Sequence, residues 1–231
     1  MSITPYYETE LGKLYHGDCL TIMPELEPVD LVLTDPPYFS PVQHYVVSRG
    51  DTYPKRTLSD SAVLAGYFKH WANIADRAIM QNGTFYVFCD GQSYPFFYTA
   101  LFPHCKHVRP LVWDKLVSYN GYTWRHQHEL IAWGERSETE RVPTGDGDIL
   151  KHRGVRKKDK KHLAEKPVGL ILSLINKHNY NLILDPFLGG GTTAIACERL
   201  NRRWIGIEIE EKYCEISAKR IEKERSQLKL W

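Results

Sequence analysis

The short run Val29-Asp30-Leu31-Val32-Leu33-Thr34, closed by Asp35-Pro36-Pro37-Tyr38, constrains this chain more than any other stretch. Such a run is the signature of a strand buried on both faces, as in a parallel sheet. Two consecutive prolines then fix the backbone and remove two N–H donors. The carboxylate of Asp35 falls at the strand's carboxyl end, where open α/β sheets bind ligands. Asp35 and the Pro36 carbonyl are two acceptors, with the Tyr38 ring as a flat wall beside them. That combination suits an amino group on a planar ring. A plain proline turn with a capping aspartate is the competing reading of these four residues.

The rest of the chain alternates in a way that supports a sheet. Strands are expected at Lys13–His16, Asp30–Thr34, Thr84–Cys89, His107–Trp113, Glu129–Trp133, Asn181–Asp185 and Trp204–Glu208. Helical spacing of apolar residues marks Asp60–Met80, with Gly83 as its stop, together with Ser93–Leu101, Pro167–His178, Thr192–Leu200 and Glu211–Leu228. A helical turn is expected at Leu20–Glu25. The pattern predicts one α/β domain over residues 1–231, a doubly wound and mostly parallel seven-stranded sheet. Residues 39–59, 115–126 and 134–161 lack the pattern and read as insertions into it.

Composition bounds the partners only loosely. With 231 residues and 42% apolar content, one large core is affordable. A formal charge of +2 does not by itself announce nucleic acid. Five scattered cysteines argue for a reducing compartment and against a disulfide framework. The polar, acidic first residues do not form a signal peptide, and no apolar run reaches membrane-spanning length. A cytoplasmic protein with no membrane partner is expected. His126 and His128 share a strand face but lack a third ligand, so no metal is expected.

A second constellation lies 150 residues after the first. Leu182-Ile183-Leu184-Asp185-Pro186-Phe187-Leu188-Gly189-Gly190-Gly191-Thr192-Thr193 reads as strand, glycine turn and helix start. Glycines let a ligand approach the backbone, and the helix start favours polar groups. Glu208 follows Gly189 by nineteen positions, the place of a ribose-hydroxyl acceptor. The turn also fits a loose dinucleotide pattern. However, Asp185-Pro186-Phe187-Leu188 intervenes between the apolar run and the glycines, and Asp185 would repel a pyrophosphate. A carboxylate there suits a cofactor with a cationic amino-acid end. No Gly-Lys-Ser/Thr follows, which excludes a Walker phosphate loop.

Together, Asp35–Tyr38 and the later Asp185–Thr192 resemble the amino-methylating DNA methyltransferases of the β arrangement, in which the catalytic motif precedes the S-adenosylmethionine motif. The resemblance spans most of the chain. Gly17-Asp18-Cys19-Leu20 is similar to the segment that contacts the cofactor adenine. His162-Leu163-Ala164-Glu165-Lys166-Pro167 resembles the His-x-x-x-Lys-Pro element, and His128-Glu129 the His-Glu of a late strand. Gly190 and Leu163 depart mildly from the family, which often has Ser or Thr at the first and Pro at the second. The short target-recognition portion leaves the recognition sequence undefined.

The resemblance implies a class I S-adenosylmethionine methyltransferase fold and methyl transfer to an exocyclic base nitrogen of DNA. Asp35 and Pro36 would hold the amine, Pro37 would stiffen the turn, and Tyr38 would stack on a base flipped from the duplex. Asp185 would face the cofactor's amino group. Phe187 would supply apolar contact, Gly189 and Gly191 backbone access, and Glu208 the ribose contact, with Pro186 and Thr192 in the same cofactor-binding turn. Asp18 would accept from the cofactor adenine or act simply as a turn aspartate. Lys166 would lie near the methionine end or be structural.

DNA contact is assigned to the insertions. Lys151, Arg153, Arg156, Lys157 and Lys158 could neutralise phosphates, or form a solvated tether. Arg125, in the aromatic stretch Tyr119–Arg125, could reach a phosphate or base, or belong to a packed hairpin loop. The leading aspartate leans toward adenine N6, with cytosine N4 as the alternative. It lowers RNA and protein-glutamine substrates, which usually go with Asn. A nicotinamide oxidoreductase would leave Asp35–Tyr38 without a task, and a non-catalytic DNA-binding module would use neither cofactor motif. A restriction-modification or phage-type setting and a homodimer are compatible with the resemblance.

Overall fold

The structure is a computed structural model that describes residues 3–37, 58–117, 123–137, 145–155 and 165–228, with side chains of the second segment from residue 65. Tyr38, Arg156, Lys157, Lys158 and His162 lie outside the described residues, as does nearly all of the 39–59 insertion.

Nine described strands form one sheet: β1 (Tyr7–Glu8), β2 (Gly12–His16), β3 (Val29–Thr34), β4 (Ile79–Cys89), β5 (His107–Asp114), β6 (His128–Glu135), β7 (Ile149–Lys151), β8 (Leu182–Asp185) and β9 (Arg203–Glu208). Their spatial order is β1-β2-β9-β8-β3-β4-β6-β5-β7. Only β1 and β6 run antiparallel to their neighbours. The seven expected strands form the body of the sheet, and the two short ones extend its edges. β7 lies within the stretch expected to be irregular, pairing Val112 with Ile149 and Asp114 with Lys151. Two apolar residues, Ile149 and Leu150, are too few to show a period, and β7 forms because β5 offers it an edge. Lys151 is therefore a strand residue rather than part of a tether.

Six α-helices among the described residues cover the sheet: α1 (Cys19–Ile22), α2 (Leu58–Ala78), α3 (Tyr94–Leu101), α4 (Val168–Ile175), α5 (Thr192–Arg199) and α6 (Glu211–Leu228). One face packs on Phe68, Trp71 and Phe97, from α2 and α3. The other packs on Leu170, Leu174, Ile195 and Ile221, from α4, α5 and α6. With both faces covered, β3 is buried at every position but Asp30, which explains its unbroken apolar run. Asp30 itself accepts from the N–H groups of Asn181 and Leu182 at 3.0 and 2.8 Å, aligning the starts of β3 and β8.

The end of α2 differs from the expectation. The helix stops at Ala78, before the expected Met80, and Gly83 is not its stop. Arg136 reaches back from the end of β6, donates to the Ile79 carbonyl at 2.8 Å and pairs with Asp76 at 3.1 Å, which satisfies the helix end. Gly83 instead sits inside β4. A Cβ there would come within 2.4 Å of Ile79 Cγ1, so it marks a close approach in an irregular strand rather than a helix stop. The 39–59 insertion also ends early, because Leu58 and Ser59 already belong to α2.

β3 and β8 are adjacent, with Leu31 opposite Ile183 and Val32 opposite Leu184. From this seam the connections wind one way through β9 and β2 and the other way through β4. The seam is thus the topological switch point, and a crevice opens at its carboxyl end. Asp35 follows β3 there, and Asp185 ends β8.

Candidate active site

One cleft at this seam is lined by Thr34, Asp35, Lys166, Asp185, Phe187 and Gly189, with Gly190 and Thr192 behind them. The two acid-proline turns separated by 150 residues in the sequence therefore face one space. Pro36 is buried and Pro37 exposed, as a turn leaving the sheet requires.

The β8 side of the cleft is built by its own turn. Asp185 is 5% exposed. Its Oδ1 accepts from the Thr34 hydroxyl at 2.8 Å and the Phe187 N–H at 3.1 Å, and its Oδ2 from the Thr193 hydroxyl at 2.6 Å. Burial pushes the Asp185 carboxyl up to about 6, against the pull of these donors, and the nearby Asp35 adds to the rise. Gly191, at φ +82°, turns the chain into α5 in a left-handed conformation. Glu208, at the end of β9, accepts from the N–H of Gly189 at 2.8 Å and of Glu210 at 2.9 Å. The Gly189 carbonyl accepts from Ser217 at 2.6 Å. Arg220 donates to the Gly190 carbonyl and pairs with Glu165 at 2.6 Å, so α6 fastens the glycine turn. Asp18 is exposed and accepts from the Leu20 N–H at 2.9 Å, where it caps α1. That is the turn-aspartate geometry, with one carboxylate oxygen engaged.

The β3 side is built from distant charges. Lys166, just before α4, places Nζ 2.5 Å from Asp35 Oδ2 and 3.3 Å from Glu129 Oε2. Lys115, just after β5, places Nζ 2.5 Å from Glu129 Oε1. The four side chains form an alternating row, Asp35–Lys166–Glu129–Lys115. Phe88 lies 5.1 Å under the Lys166 ammonium, and Trp113 lies 5.2 Å from that of Lys115. Asp35 Oδ1 is buried and has no hydrogen-bond partner among the described residues.

Burial raises the Asp35 carboxyl above its ordinary value, with Lys166 opposing and Glu129 adding to the rise. Burial would lower the Lys166 pKa, but the carboxylates of Asp35 and Glu129 overcome it and hold the ammonium above the usual lysine value. At Glu129 burial is likewise outweighed, here by the Lys166 and Lys115 ammoniums, and its pKa is lowered.

Lys166 stands at the Asp35 carboxylate as well as in the cleft that Asp185 and Gly189 line. Glu129, Lys115, Glu165 and Arg220 carry site geometry that sequence reasoning does not assign. The His-Glu and His-x-x-x-Lys-Pro resemblances are the available pointers to the first and third. Lys151 and Arg153 are exposed and follow β7 to the same sheet edge as Asp35. β6 enters the sheet at that edge, and the exposed Arg125 lies on its approach. Among the described residues no cluster of His, Cys, Asp and Glu is arranged to hold a metal, and no helix is long and apolar enough to cross a membrane.

The chain is similar to known proteins over most of its length. The chain is 27% identical over 255 aligned positions to the type II methyltransferase M2.LlaDCHI of Lactococcus lactis subsp. cremoris, covering 95% of this chain and 92% of that one. It is equally similar over 254 positions to M2.DpnII of Streptococcus pneumoniae, covering 95% and 93%. Among solved structures, M1.HpyAVI in complex with SAM superposes with a TM-score of 0.70 at 22% identity, over 91% of this chain and 99% of that chain. The cytosine-N4-specific PvuII DNA methyltransferase superposes at 0.72 and 19% identity, over 94% and 88%. These two likenesses establish the fold. Residues 29–219 match the N6/N4-type DNA methylase family, a span that takes in both acid-proline turns, the charge row and the glycine turn, and this chain belongs to that family.

Proposed function

We propose that this protein transfers a methyl group from S-adenosylmethionine to the exocyclic N6 of an adenine flipped out of double-stranded DNA. The observation that carries this reading is Asp35 Oδ1. It is a buried carboxylate oxygen without a partner among the described residues, and it belongs to a residue that lines the same cleft as Asp185 and the glycine turn. A buried acceptor left unpaired costs free energy, and a donor from a ligand removes that cost. The ligand donor that fits is an N–H of an amine.

S-adenosylmethionine, when bound, supplies a methyl group on a sulfonium and so needs little activation. The residues of this chain contribute position and electrostatics. Asp185 is the candidate partner for the cofactor's amino group. Its Oδ1 already accepts two bonds, but Oδ2 accepts only one and keeps accepting capacity. Phe187 offers apolar contact, Gly189, Gly191 and Thr192 a close backbone, and Glu208 an acceptor for ribose hydroxyls. Two carboxylates in one cleft, both raised in pKa by burial, favour a ligand that brings positive charge.

On the acceptor side, Asp35 Oδ1 and the Pro36 carbonyl would each take one N–H of the target amine. Those bonds draw the nitrogen lone pair out of conjugation and stabilise the positive charge that grows on nitrogen as it attacks. Holding the amine in line with the methyl group supplies the remainder by proximity. Tyr38 is the proposed stacking partner of the base. Arg125, Lys151, Arg153, Arg156, Lys157 and Lys158 are proposed to meet phosphate, giving a binding constant that falls steeply with salt.

Adenine N6 is preferred on the leading aspartate of Asp35–Tyr38. Cytosine N4 is the second reading, supported by the likeness to the cytosine-N4-specific PvuII enzyme. Labelled-methyl transfer to DNA from a methylation-free host, followed by digestion to nucleosides, decides between them. Label in N6-methyladenosine is expected, and label in N4-methylcytosine replaces the first reading with the second. Thermal stabilisation by S-adenosylmethionine and not by NAD is also expected, and the reverse would sink both.

A further inference from the structure

We propose that Lys166 is a positioning residue for the methyl-accepting amine, holding Asp35 Oδ2 so that Oδ1 alone is presented to the base. The inference rests on the methyltransferase reading above.

A free carboxylate can rotate and offer either oxygen. Lys166 Nζ, 2.5 Å from Oδ2, removes that freedom, while Oδ1 keeps no partner among the described residues. Lys166 is itself fixed. It is 7% exposed, rests over Phe88 and is held from the far side by Glu129 at 3.3 Å. Glu129 is in turn held by Lys115. A buried ion pair of this kind adds little net stability, since desolvation offsets most of the attraction. Its effect at this position is on the orientation and charge of Asp35.

Lys166 is also the nearest cation to a crowd of acids. Around Asp35 stand Asp185 from β8, Glu129 from β6 and the Cys89 thiol from β4, with Lys115 the only other cation beyond Glu129 among the described residues. Glu165 is adjacent in sequence but engaged by Arg220 from α6. Loss of the Lys166 charge leaves Asp35 among acids, where the protonated form gains. A protonated Asp35 no longer accepts an amine N–H in the same way. Loss of the Glu129 charge acts oppositely, because one repelling carboxylate is gone and Lys166 no longer shares its charge with it.

The test is the pH profile of kcat at saturating S-adenosylmethionine and DNA for the intact chain, Lys166→Met, Lys166→Arg and Glu129→Gln. Cofactor binding and a melting curve accompany each variant. For Lys166→Met, kcat is expected to fall, with its acid limb moved to higher pH by about one unit or more, so that a loss of about tenfold near that limb shrinks as pH rises. Lys166→Arg is expected to restore the limb, and Glu129→Gln to move it to lower pH. If Lys166→Met does not fold, the opposite shift in Glu129→Gln still decides the matter. Limbs unmoved in both variants, or a loss equal at every pH, would overturn the role. If the unaltered chain moves no methyl to DNA while binding the cofactor, the parent reading falls first, and this outcome is recognisable before any variant is compared.

Discussion

The two lips of the cleft reach the same end, a carboxylate at the carboxyl edge of a central strand, by opposite construction. On the β8 lip, Asp185 takes three hydrogen bonds from neutral donors, two of them within eight residues of it in sequence. On the β3 lip, Asp35 takes one contact, from an ammonium 131 residues away. Neutral donors orient a carboxylate without cancelling its charge. The β8 lip is therefore ready for a cation, and its elevated pKa shows the cost of keeping a charge there. An ammonium clamp cancels charge at one oxygen and leaves the other for a neutral donor, which is what an aromatic amine is.

The sharpest way to break this comparison is Asp35→Ala. If Asp35 is the amine acceptor, the variant should bind S-adenosylmethionine about as well as the parent and lose about 10²–10³ in kcat, the usual cost of one preorganised charge-stabilising group. A second effect is expected in stability. Lys166 then loses its ion pair with Asp35, so the melting point should fall. Equal transfer by parent and variant, measured with labelled methyl groups, would remove Asp35 from the mechanism.

Asp185→Asn probes the other lip and carries a pH signature. The Asp185 carboxyl is raised from its ordinary 3.8 to about 6, so the folded apo protein binds this proton more tightly than the unfolded chain does. Stability from this group is full below about 3.8 and is lost as pH rises through about 6. A shift of that size amounts to about 3 kcal/mol. Asp185→Asn should therefore flatten the fall in apo stability across this window, read by chemical denaturation at several pH values. Cofactor binding should show the reverse dependence. An ammonium ligand needs Asp185 ionised, so affinity should rise with pH through about 6 in the parent and lose that rise in Asp185→Asn, as titration calorimetry can report. A parent affinity flat from about pH 5 to 7 would count against an ammonium partner at Asp185.

The contrast between the lips also explains what can be read from the amino-acid sequence. The β8 lip is local. Strand, Asp185, glycine turn and helix start are contiguous, and Glu208 follows at the next strand end, so spacing alone brings them together. The position of Asp35 is equally legible, because the apolar run of β3 and its prolines define the strand end. Its partners are not. Lys166 reaches Asp35 from just before α4, and Glu129 and Lys115 join the row only after β6 has inserted antiparallel beside β4 and β5 beside β6, an order that no local signal carries. Similarly, β7 has no period to detect and exists because β5 has a free edge. Spacing misplaces the boundary of α2 because its stop is the side chain that follows β6, Arg136, rather than the glycine that follows in the chain.

Glu208→Ala comes next in size. Two N–H groups, of Gly189 and Glu210, lose their acceptor, and the Gly189 one is buried. A loss of about 2 kcal/mol in stability is expected, with weaker cofactor binding because the glycine turn is no longer held. If ribose hydroxyls also use Glu208, the loss of affinity for S-adenosylmethionine should exceed that for S-methylmethionine, which lacks the ribose. Equal losses would reduce Glu208 to a brace of the turn.

The smallest effect separates the backbone of the β8 lip from its charges. Gly191 has φ +82°, and a Cβ there would stand 3.1 Å from both Cβ and Oγ of Ser217. Ser217 cannot yield freely, because its hydroxyl is bonded to the Gly189 carbonyl at 2.6 Å in a fully buried position. Gly191→Ala should therefore cost about 1–2 kcal/mol from the left-handed backbone alone, with some further loss as Ser217 is displaced. Gly147 is the control. It has no positive φ, and a Cβ added there would meet nothing within 4 Å, so Gly147→Ala should be near neutral. Because Gly191 touches no charged group of the β3 lip, its variant should leave the pH dependence of kcat where it was. A shifted acid limb in Gly191→Ala would mean that the two lips are coupled through the cleft, and that the neutral-donor and charge-clamp designs cannot be separated.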